Sequence, residues 1–221
     1  LAGTSGNVWL YRNVGSLTAP KFAAGMKVQV GDRDIQCGNS RMAISFTDMD
    51  KDGQHDLVVI SQDRKARLFR NTGKKGAPVL SSEVILKARS GEDLVVEDIR
   101  ADVADWNGDG LPDIITGAGS GSVKISYNTG TAAEPAFAAP VTTLDVEGHA
   151  VSGSYNLNVR IADINQDGVP DFVDSYNWGN INFRINKGTS ARPLLPGTGT
   201  FNVTGQAFTN VNFHALCDGP I

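Results

Sequence analysis

The chain has 221 residues, of which 40% are hydrophobic and 20% are charged, and its formal net charge at pH 7 is −4. This composition is typical of a soluble globular protein with a substantial core, and no apolar run approaches the roughly 18 residues of a membrane-spanning helix. The two cysteines, Cys37 and Cys217, are too few for a disulfide-dense scaffold, and their pairing with each other, pairing elsewhere or free state stays open. No basic stripe indicates a nucleic-acid partner.

An acidic nine-residue loop occurs three times, beginning at Asp48, Asp105 and Asp163. In each copy, acidic or amide side chains occupy positions 1, 3, 5 and 9, and glycine occupies position 6, where the backbone must turn sharply. Alternate side chains of a tight loop converge on one point, and hard oxygen ligands at that point suit calcium. The predicted calcium ligands are Asp48, Asp50, Asp52 and Asp56 in loop 1; Asp105, Asn107, Asp109 and Asp113 in loop 2; and Asp163, Asn165, Asp167 and Asp171 in loop 3.

A second landmark recurs with the same period of 57 or 58 residues. It is an Asn-x-Gly turn, followed five residues after the glycine by a proline and two residues later by an apolar side chain. Two independent landmarks that share one period indicate an internal duplication. The asparagines are Asn13, Asn71, Asn128 and Asn186, and the apolar residues are Phe22, Leu80, Phe137 and Leu195.

Each repeat contains short apolar segments that predict β-strands, and none shows a helical period. The first strand precedes the acidic loop, the second follows it, the third has alternating polarity, and the fourth follows the Asn-x-Gly turn. In the repeat that contains loop 1, the strands are predicted at 44–47, 56–60, 66–70 and 84–87. The corresponding segments of the next repeats are 101–104, 113–116, 123–127 and 141–144, and then 159–162, 171–173 and 181–185.

Four strands in a repeat of 57 or 58 residues predict the blade of a β-propeller, an all-β fold. Stacked sandwiches are the alternative, but a sandwich domain usually needs about 100 residues. Complete and partial blades in these proportions do not close a ring comfortably, so we expect the chain to be part of one larger propeller. A ring completed by a second chain is the minor alternative. The predicted units are a partial blade at 1–41, blades at 42–98, 99–157 and 158–210, and the start of a further blade at 211–221.

The strand-flanked loop Asp-x-Asp/Asn-x-Asp-Gly-x-x-Asp, repeated in this way, resembles the FG-GAP and VCBS repeat families. Related loops occur in integrin α-subunit propellers and in secreted lectins and polysaccharide lyases. The resemblance implies a propeller, often seven-bladed, in which each loop joins the first two strands of a blade and binds Ca²⁺, which gives three sites in this chain. It also implies that position 7 contributes its backbone carbonyl, from Gln54, Leu111 and Val169.

An EF-hand is the main alternative for such a loop. It requires a bidentate glutamate at position 12 and flanking helices, whereas position 12 here is Val59, Thr116 or Asp174 and both flanks are strand-like. Calcium sites of modest affinity suit the high calcium concentration outside cells. We therefore expect the protein to be secreted or displayed at the cell surface.

Loops at the ends of propeller strands alternate between two faces, so the face opposite the calcium loops is available for recognition. Aromatic side chains stack on sugar rings, and arginines clamp carboxylates such as those of uronic acids. The predicted ligand-binding residues are Arg64, Tyr176 and Trp178, with packing between blades as the alternative role of the two aromatics. The weaker candidates for catalysis are Arg41, His149, Tyr155 and His214.

These features predict a module that binds glycans or another extracellular ligand. The first alternative is the catalytic or substrate-binding propeller of a polysaccharide lyase, which needs a group to neutralise the uronate carboxylate together with a base and an acid. The second alternative is a protein-adhesion module similar to the integrin head. The remainder of the same propeller is a further expected partner, whereas nucleic acid and a membrane span are not expected.

One pair of residues is predicted to meet between repeats. Ser45, Asp102 and Arg160 occupy the same position, three residues before each acidic loop. Asp102 and Arg160 would therefore be neighbours in adjacent blades, which predicts a salt bridge between them near the propeller axis. A ligand-binding pair in the central channel is the alternative.

Overall fold

The computed structural model describes residues 6–16, 18–38, 41–74, 76–118, 121–151, 157–175 and 181–196, together with the backbone of 199–200. All regular structure in this part of the chain is β-strand, which confirms the predicted all-β class. The same residues include no helix that is long and apolar enough to cross a membrane. The N-terminal segment forms two short antiparallel pairs, β1 (Trp9–Leu10) with β2 (Met26–Lys27), and β3 (Gln29–Val30) with β4 (Arg33–Asp34).

Three antiparallel sheets of four strands follow, and we name them sheets A, B and C. In each sheet the strands lie side by side in chain order, and an acidic loop joins the first strand to the second. Sheet A consists of β5 (Met42–Thr47), β6 (Asp56–Ser61), β7 (Ala66–Phe69) and β8 (Val84–Ile85), and β9 (Lys87–Ala88) follows it. Sheet B consists of β10 (Ala101–Ala104), β11 (Asp113–Gly117), β12 (Val123–Ser126) and, after the intervening β13 (Ala136–Phe137), β14 (Val141–Thr142). Sheet C consists of β15 (Asn158–Ala162), β16 (Asp171–Ser175), β17 (Ile181–Arg184) and β18 (Gly199–Thr200).

The second strand of each sheet is buried along its whole length. Because successive side chains of a strand point to opposite faces, such a strand contributes to two cores. In β11, Ile114 belongs to an apolar cluster shared with sheet A, whereas Ile115 belongs to a cluster shared with sheet C. Burial of each such side chain contributes about 1.5–3 kcal/mol, so these shared clusters hold the sheets face to face.

The first strands of the three sheets, β5, β10 and β15, lie next to one another. The Asp102 carboxylate of β10 accepts a hydrogen bond from Ser45 Oγ at 3.0 Å and another from the backbone nitrogen of Ile161 at 2.9 Å. Asp102 and Arg160 therefore lie on neighbouring strands as predicted, but the predicted salt bridge between them is not formed. Both carboxylate oxygens already have donors from the adjacent strands, and the Arg160 guanidinium instead donates to the backbone oxygen of Ala101 at 2.8 Å.

The asparagine side chain holds each Asn-x-Gly turn together. Asn128 Oδ1 accepts hydrogen bonds from the N–H groups of Gly130 and Ala136, each at 3.2 Å, and the three equivalent asparagines accept the same pair of bonds. Glycine is required because a Cβ at Gly130 would lie 2.3 Å from the backbone oxygen of Glu134. The turn thus brings the chain back towards the sheet with a fixed geometry.

The apolar residue after each turn packs against the core that precedes its own sheet. Phe137 and Leu195 are fully buried in the clusters between sheets A and B and between sheets B and C, and Leu80 packs against the cluster between the N-terminal segment and sheet A. The equivalent Phe22 of the N-terminal segment is 66% exposed.

Candidate functional site

The three acidic loops share one type of backbone turn. The carboxylate at position 1 accepts hydrogen bonds from two N–H groups of its own loop; in loop 1, Asp48 accepts from Asp52 at 3.2 Å and from Gly53 at 2.9 Å. Asp105 and Asp163 also accept two such bonds each, between 2.8 and 3.1 Å. The position-6 glycines have φ between +83° and +87°, a left-handed conformation that glycine adopts without steric cost.

Three of the four predicted side-chain ligands of loop 1 converge on one point, whereas the fourth, Asp52, is outside this group and accepts a hydrogen bond from the backbone nitrogen of Gln54 at 2.7 Å. Asp48, Asp50 and Asp56 each place one carboxylate oxygen within 4.8 Å of the others. Negative charges at this separation repel one another unless a cation neutralises them, and several carboxylate oxygens around one point are the ligands that calcium prefers. The donor set of loop 1 therefore fits a calcium ion.

Loops 2 and 3 differ from loop 1 because position 3 is asparagine. Asn107 Nδ2 donates to Asp109 Oδ2 at 2.9 Å, and Asn165 Nδ2 donates to Asp167 Oδ2 at 2.8 Å. Within the described residues, the close grouping of three acidic side chains occurs at loop 1 and not at these two loops. Calcium remains a prediction for all three loops, as does the total of three ions, and the acidic grouping that supports it is found at loop 1.

The aspartate at position 9 also has a structural role, which was not predicted from the sequence. Asp113 is fully buried, and its two oxygens accept hydrogen bonds from the N–H groups of Trp106 at 3.2 Å and Asn128 at 2.8 Å. Asp56 and Asp171 accept the same two bonds, from position 2 of their own loop and from the asparagine of the following turn. The sequence did contain a signal for this link, because the aspartate and the asparagine are 15 residues apart in all three repeats.

Burial changes the acidity of two of these carboxylates, Asp56 and Asp113. Removal from water raises the pKa of Asp113 to about 7, with the two backbone N–H donors acting in the opposite direction. Burial also raises the pKa of Asp56 above its ordinary value. Asp56 and Asp113 thus connect their acidic loops to the Asn-x-Gly turns at an electrostatic cost.

Arg70 compensates the additional negative charge of loop 1. Its Nη1 donates to Asp50 Oδ2 at 2.6 Å, and its Nη2 donates to the backbone oxygen of Ala133 at 2.8 Å. In the other two repeats the equivalent residues are Tyr127 and Ile185, and position 3 is the neutral asparagine. The extra aspartate and the arginine therefore occur together, and the arginine also joins loop 1 to the turn of the following sheet.

A groove of about 560 Å³ lies at the opposite end of the strands from the acidic loops. Loop 1 follows the last residue of β5, whereas Arg41 precedes its first residue, and the turn that contains Arg64 follows the last residue of β6. The segment before β10 completes the lining. The residues that line the groove are Arg41, Gln62, Arg64, Glu97, Asp98, Ile99 and Arg100.

The two carboxylates that line this groove form ion pairs, whereas two of its three arginines form none with the described residues. Asp98 pairs with Arg100 at 2.8 Å, and Glu97 pairs with Lys124 at 2.7 Å. The other two arginines of the lining have no ion pair and no side-chain hydrogen bond with the described residues. The groove therefore has an excess of positive charge, although the protein as a whole is acidic.

Loops 2 and 3 lie in a segment that is similar to a known family. Residues 105–173 match the family model for an FG-GAP-like repeat. The matched segment is therefore similar to an FG-GAP-like repeat. It begins at the first residue of loop 2 and ends within β16, so the sequence resemblance to the FG-GAP family is confirmed for this part of the chain. The chain has no match among the curated proteins.

Among the other predicted functional residues, the structure describes His149. Its side chain is exposed in the turn at 145–149, with Nδ1 at 3.3 Å from Glu147 Oε2, and it does not line the groove. Arg41 is thus the one catalytic candidate of the described residues that lies in the groove. Four further predicted residues lie outside the described residues: Tyr155, Tyr176, Trp178 and His214.

Cys37 is buried in the apolar cluster between the N-terminal segment and sheet A. Burial raises the pKa of its thiol to about 11, so the thiol stays protonated at neutral pH and is a poor nucleophile. Cys217 lies outside the described residues, and a pairing between the two cysteines remains an open expectation.

Proposed function

We propose that the chain forms part of a calcium-stabilised β-propeller that binds a glycan or another extracellular ligand. The observation that carries this proposal is the regular succession of sheets A, B and C, whose first strands lie next to one another and whose faces share apolar clusters. Blades of a propeller are arranged in this way around a central channel. Residues 42–98, 99–157 and 158–210 would be complete blades, with partial blades at 1–41 and 211–221 in the same domain.

The exposure of Phe22 supports a ring with more blades than these. The equivalent side chains, Phe137 and Leu195, are buried against the sheet that precedes their own. A further blade packed against the N-terminal segment would cover Phe22 in the same manner. The remainder of the same propeller is therefore the first partner that we propose.

Calcium is the proposed cofactor, with one ion in each acidic loop. The donor set of loop 1 fits the ion, and FG-GAP-like repeats often bind calcium. The proposed ligands are the side chains at positions 1, 3, 5 and 9 and the backbone carbonyl at position 7. Such sites suit a protein that works in the calcium-rich medium outside cells, so we propose secretion or display at the cell surface.

The groove at the opposite end of the strands is the proposed recognition site. It contains arginines that can neutralise an acidic group, but its described lining has no histidine, tyrosine or lysine to serve as the base of a lyase. Binding is consequently the function that the groove supports best, with lyase activity as the alternative.

A glycan array combined with a polysaccharide digestion screen tests this proposal. Both are run with calcium and again with a chelator, and the readouts are binding and the absorbance of new unsaturated uronate ends. Calcium-dependent binding without an absorbance change is the expected result. An increase in absorbance would show lyase activity and favour the alternative function. The absence of both binding and an absorbance change would refute glycan binding.

A further inference from the structure

Arg64 occupies a backbone conformation that is unfavourable for arginine. It has φ of +62°, in the left-handed region, at the end of a turn in which its N–H donates to the backbone oxygen of Ser61 at 2.7 Å. Residues with a Cβ rarely adopt this conformation, and those that do are usually asparagine or aspartate.

The other repeats place glycine at this position. Gly121 has φ of +86° and donates to the backbone oxygen of Ala118 at 2.8 Å, which is the same turn in sheet B. Gly6 has φ of +76° at the equivalent position of the N-terminal segment. Glycine fits this turn without strain, whereas Arg64 adopts a strained backbone conformation in it. Backbone strain tends to occur at functional sites, so the arginine side chain is expected to have a role.

The side chain of Arg64 reaches the groove together with Arg41, and neither has an ion-pair partner among the described residues. The two carboxylates of the lining, in contrast, are already paired with cations, Asp98 with Arg100 and Glu97 with a lysine of β12. An incoming anion would therefore meet two guanidinium groups to which no described carboxylate is paired.

We propose that this groove binds the carboxylate of a uronate residue in an acidic polysaccharide, an inference that rests on the proposed glycan-binding function. A guanidinium group donates two parallel hydrogen bonds that match the geometry of a carboxylate. The two carboxylates of the lining can serve as acceptors for sugar hydroxyl groups, because each carboxylate oxygen has two lone pairs and can accept more than one hydrogen bond. A ligand that combines one acidic group with several hydroxyl donors fits this lining better than a simple anion, which has no donors for these acceptors. The volume of about 560 Å³ lies within the usual range of ligand sites.

The test compares polygalacturonate with two matched polysaccharides by calorimetric titration in the presence of calcium. Methyl-esterified polygalacturonate has the same sugar chain without the charge, and dextran sulfate supplies a different oxyanion. We expect binding of polygalacturonate and at least about tenfold weaker binding of the ester, because hydrogen bonds to charged groups contribute strongly to affinity. Equal binding of the ester would overturn the proposal, and tighter binding of dextran sulfate would overturn the assignment to a carboxylate.

Two variants show whether the groove is the site. Arg64→Gly restores the residue found in the other repeats, so it should keep or raise the melting temperature while weakening polygalacturonate binding by about tenfold or more. Arg192→Gln is the matched control, since it removes the same charge from an exposed side chain in the turn at 189–192, outside the groove. Equal affinity of the two variants would overturn the proposal.

The outcomes also separate this inference from the proposed function. Binding of a neutral glycan that survives Arg64→Gly would overturn the uronate site but leave a glycan-binding module. Binding of polyglutamate more tightly than polygalacturonate would overturn the inference in favour of an acidic protein partner. Absence of binding to any polysaccharide of the array would refute glycan binding itself and would leave another extracellular ligand as the proposed function.

Discussion

Replacement of Asp113 by alanine tests whether the position-9 aspartate holds the fold independently of calcium. Its carboxylate accepts hydrogen bonds from the backbone nitrogens of Trp106 and Asn128, and all three groups are buried. Alanine would leave both N–H groups without a partner in the core. The variant should therefore be destabilised even when a chelator has removed calcium.

The magnitude follows from the two orphaned donors. Each unsatisfied buried N–H costs about 1–3 kcal/mol, and removal of the partly charged carboxylate returns some of its desolvation energy, so the expected loss is about 2–4 kcal/mol. For a protein of this size, such a loss lowers the melting temperature by about 5–15 °C. The desolvation energy that alanine returns comes from the same burial that raises the pKa of Asp113 to about 7.

The assay is thermal and urea unfolding of the wild type, Asp113→Ala and Asp109→Ala, each with calcium and with a chelator. Asp109 is the matched control, because it is also a predicted ligand of loop 2 but is exposed. With calcium we expect both variants to be less stable than the wild type. With the chelator, only Asp113→Ala should remain strongly destabilised. Equal stability of the two variants in chelator would refute the proposed structural role.

Three further changes give independent tests. Gly130→Ala should lower the free energy of unfolding by about 1–3 kcal/mol in urea titrations, because its Cβ would lie 2.3 Å from the backbone oxygen of Glu134; an unchanged midpoint would contradict this. Arg70→Met should raise the calcium affinity of loop 1 by up to about tenfold in calorimetry, because the guanidinium no longer competes for Asp50; weaker binding would contradict the charge compensation. Asp93→Asn should lower the melting temperature near neutral pH, since two lysine ammonium groups lower the pKa of this carboxyl to about 2. That difference should be complete above pH 3.8 and disappear as the pH falls towards about 2, whereas a difference that persists at the lowest pH would exclude the ion pairs as its cause.

Much of this architecture could be predicted because it depends on local patterns. The alternation of apolar residues and the glycine and asparagine turns placed the strands of sheet A close to their observed bounds, with β6 predicted at 56–60 and found at Asp56–Ser61. The spacing of carboxylates around Gly53 likewise predicted a sharp loop, since the left-handed turn is a property of a few consecutive residues. The repetition of these strand, turn and loop patterns then predicted the repeat period and the all-β class.

Contacts between sheets required the tertiary structure. The periodic alignment placed Asp102 and Arg160 on neighbouring strands. It did not show that Ser45 and a backbone nitrogen of β15 would donate hydrogen bonds to the Asp102 carboxylate. Hydrogen bonds of this kind depend on the offset between stacked strands and on side-chain rotamers. The repeat period determines neither quantity.

The acidic loops and the groove also differ in how much the sequence alone determines. The sequence alone determined which residues form the acidic loops, because all the predicted side-chain ligands of one loop lie within nine consecutive positions. Only the tertiary structure decided that Arg41, Arg64 and the segment before β10 meet in one groove, since these residues are distant in the chain and come from the ends of different strands. The charge of the groove is also a tertiary property, because it depends on which carboxylates find partners when the sheets pack together.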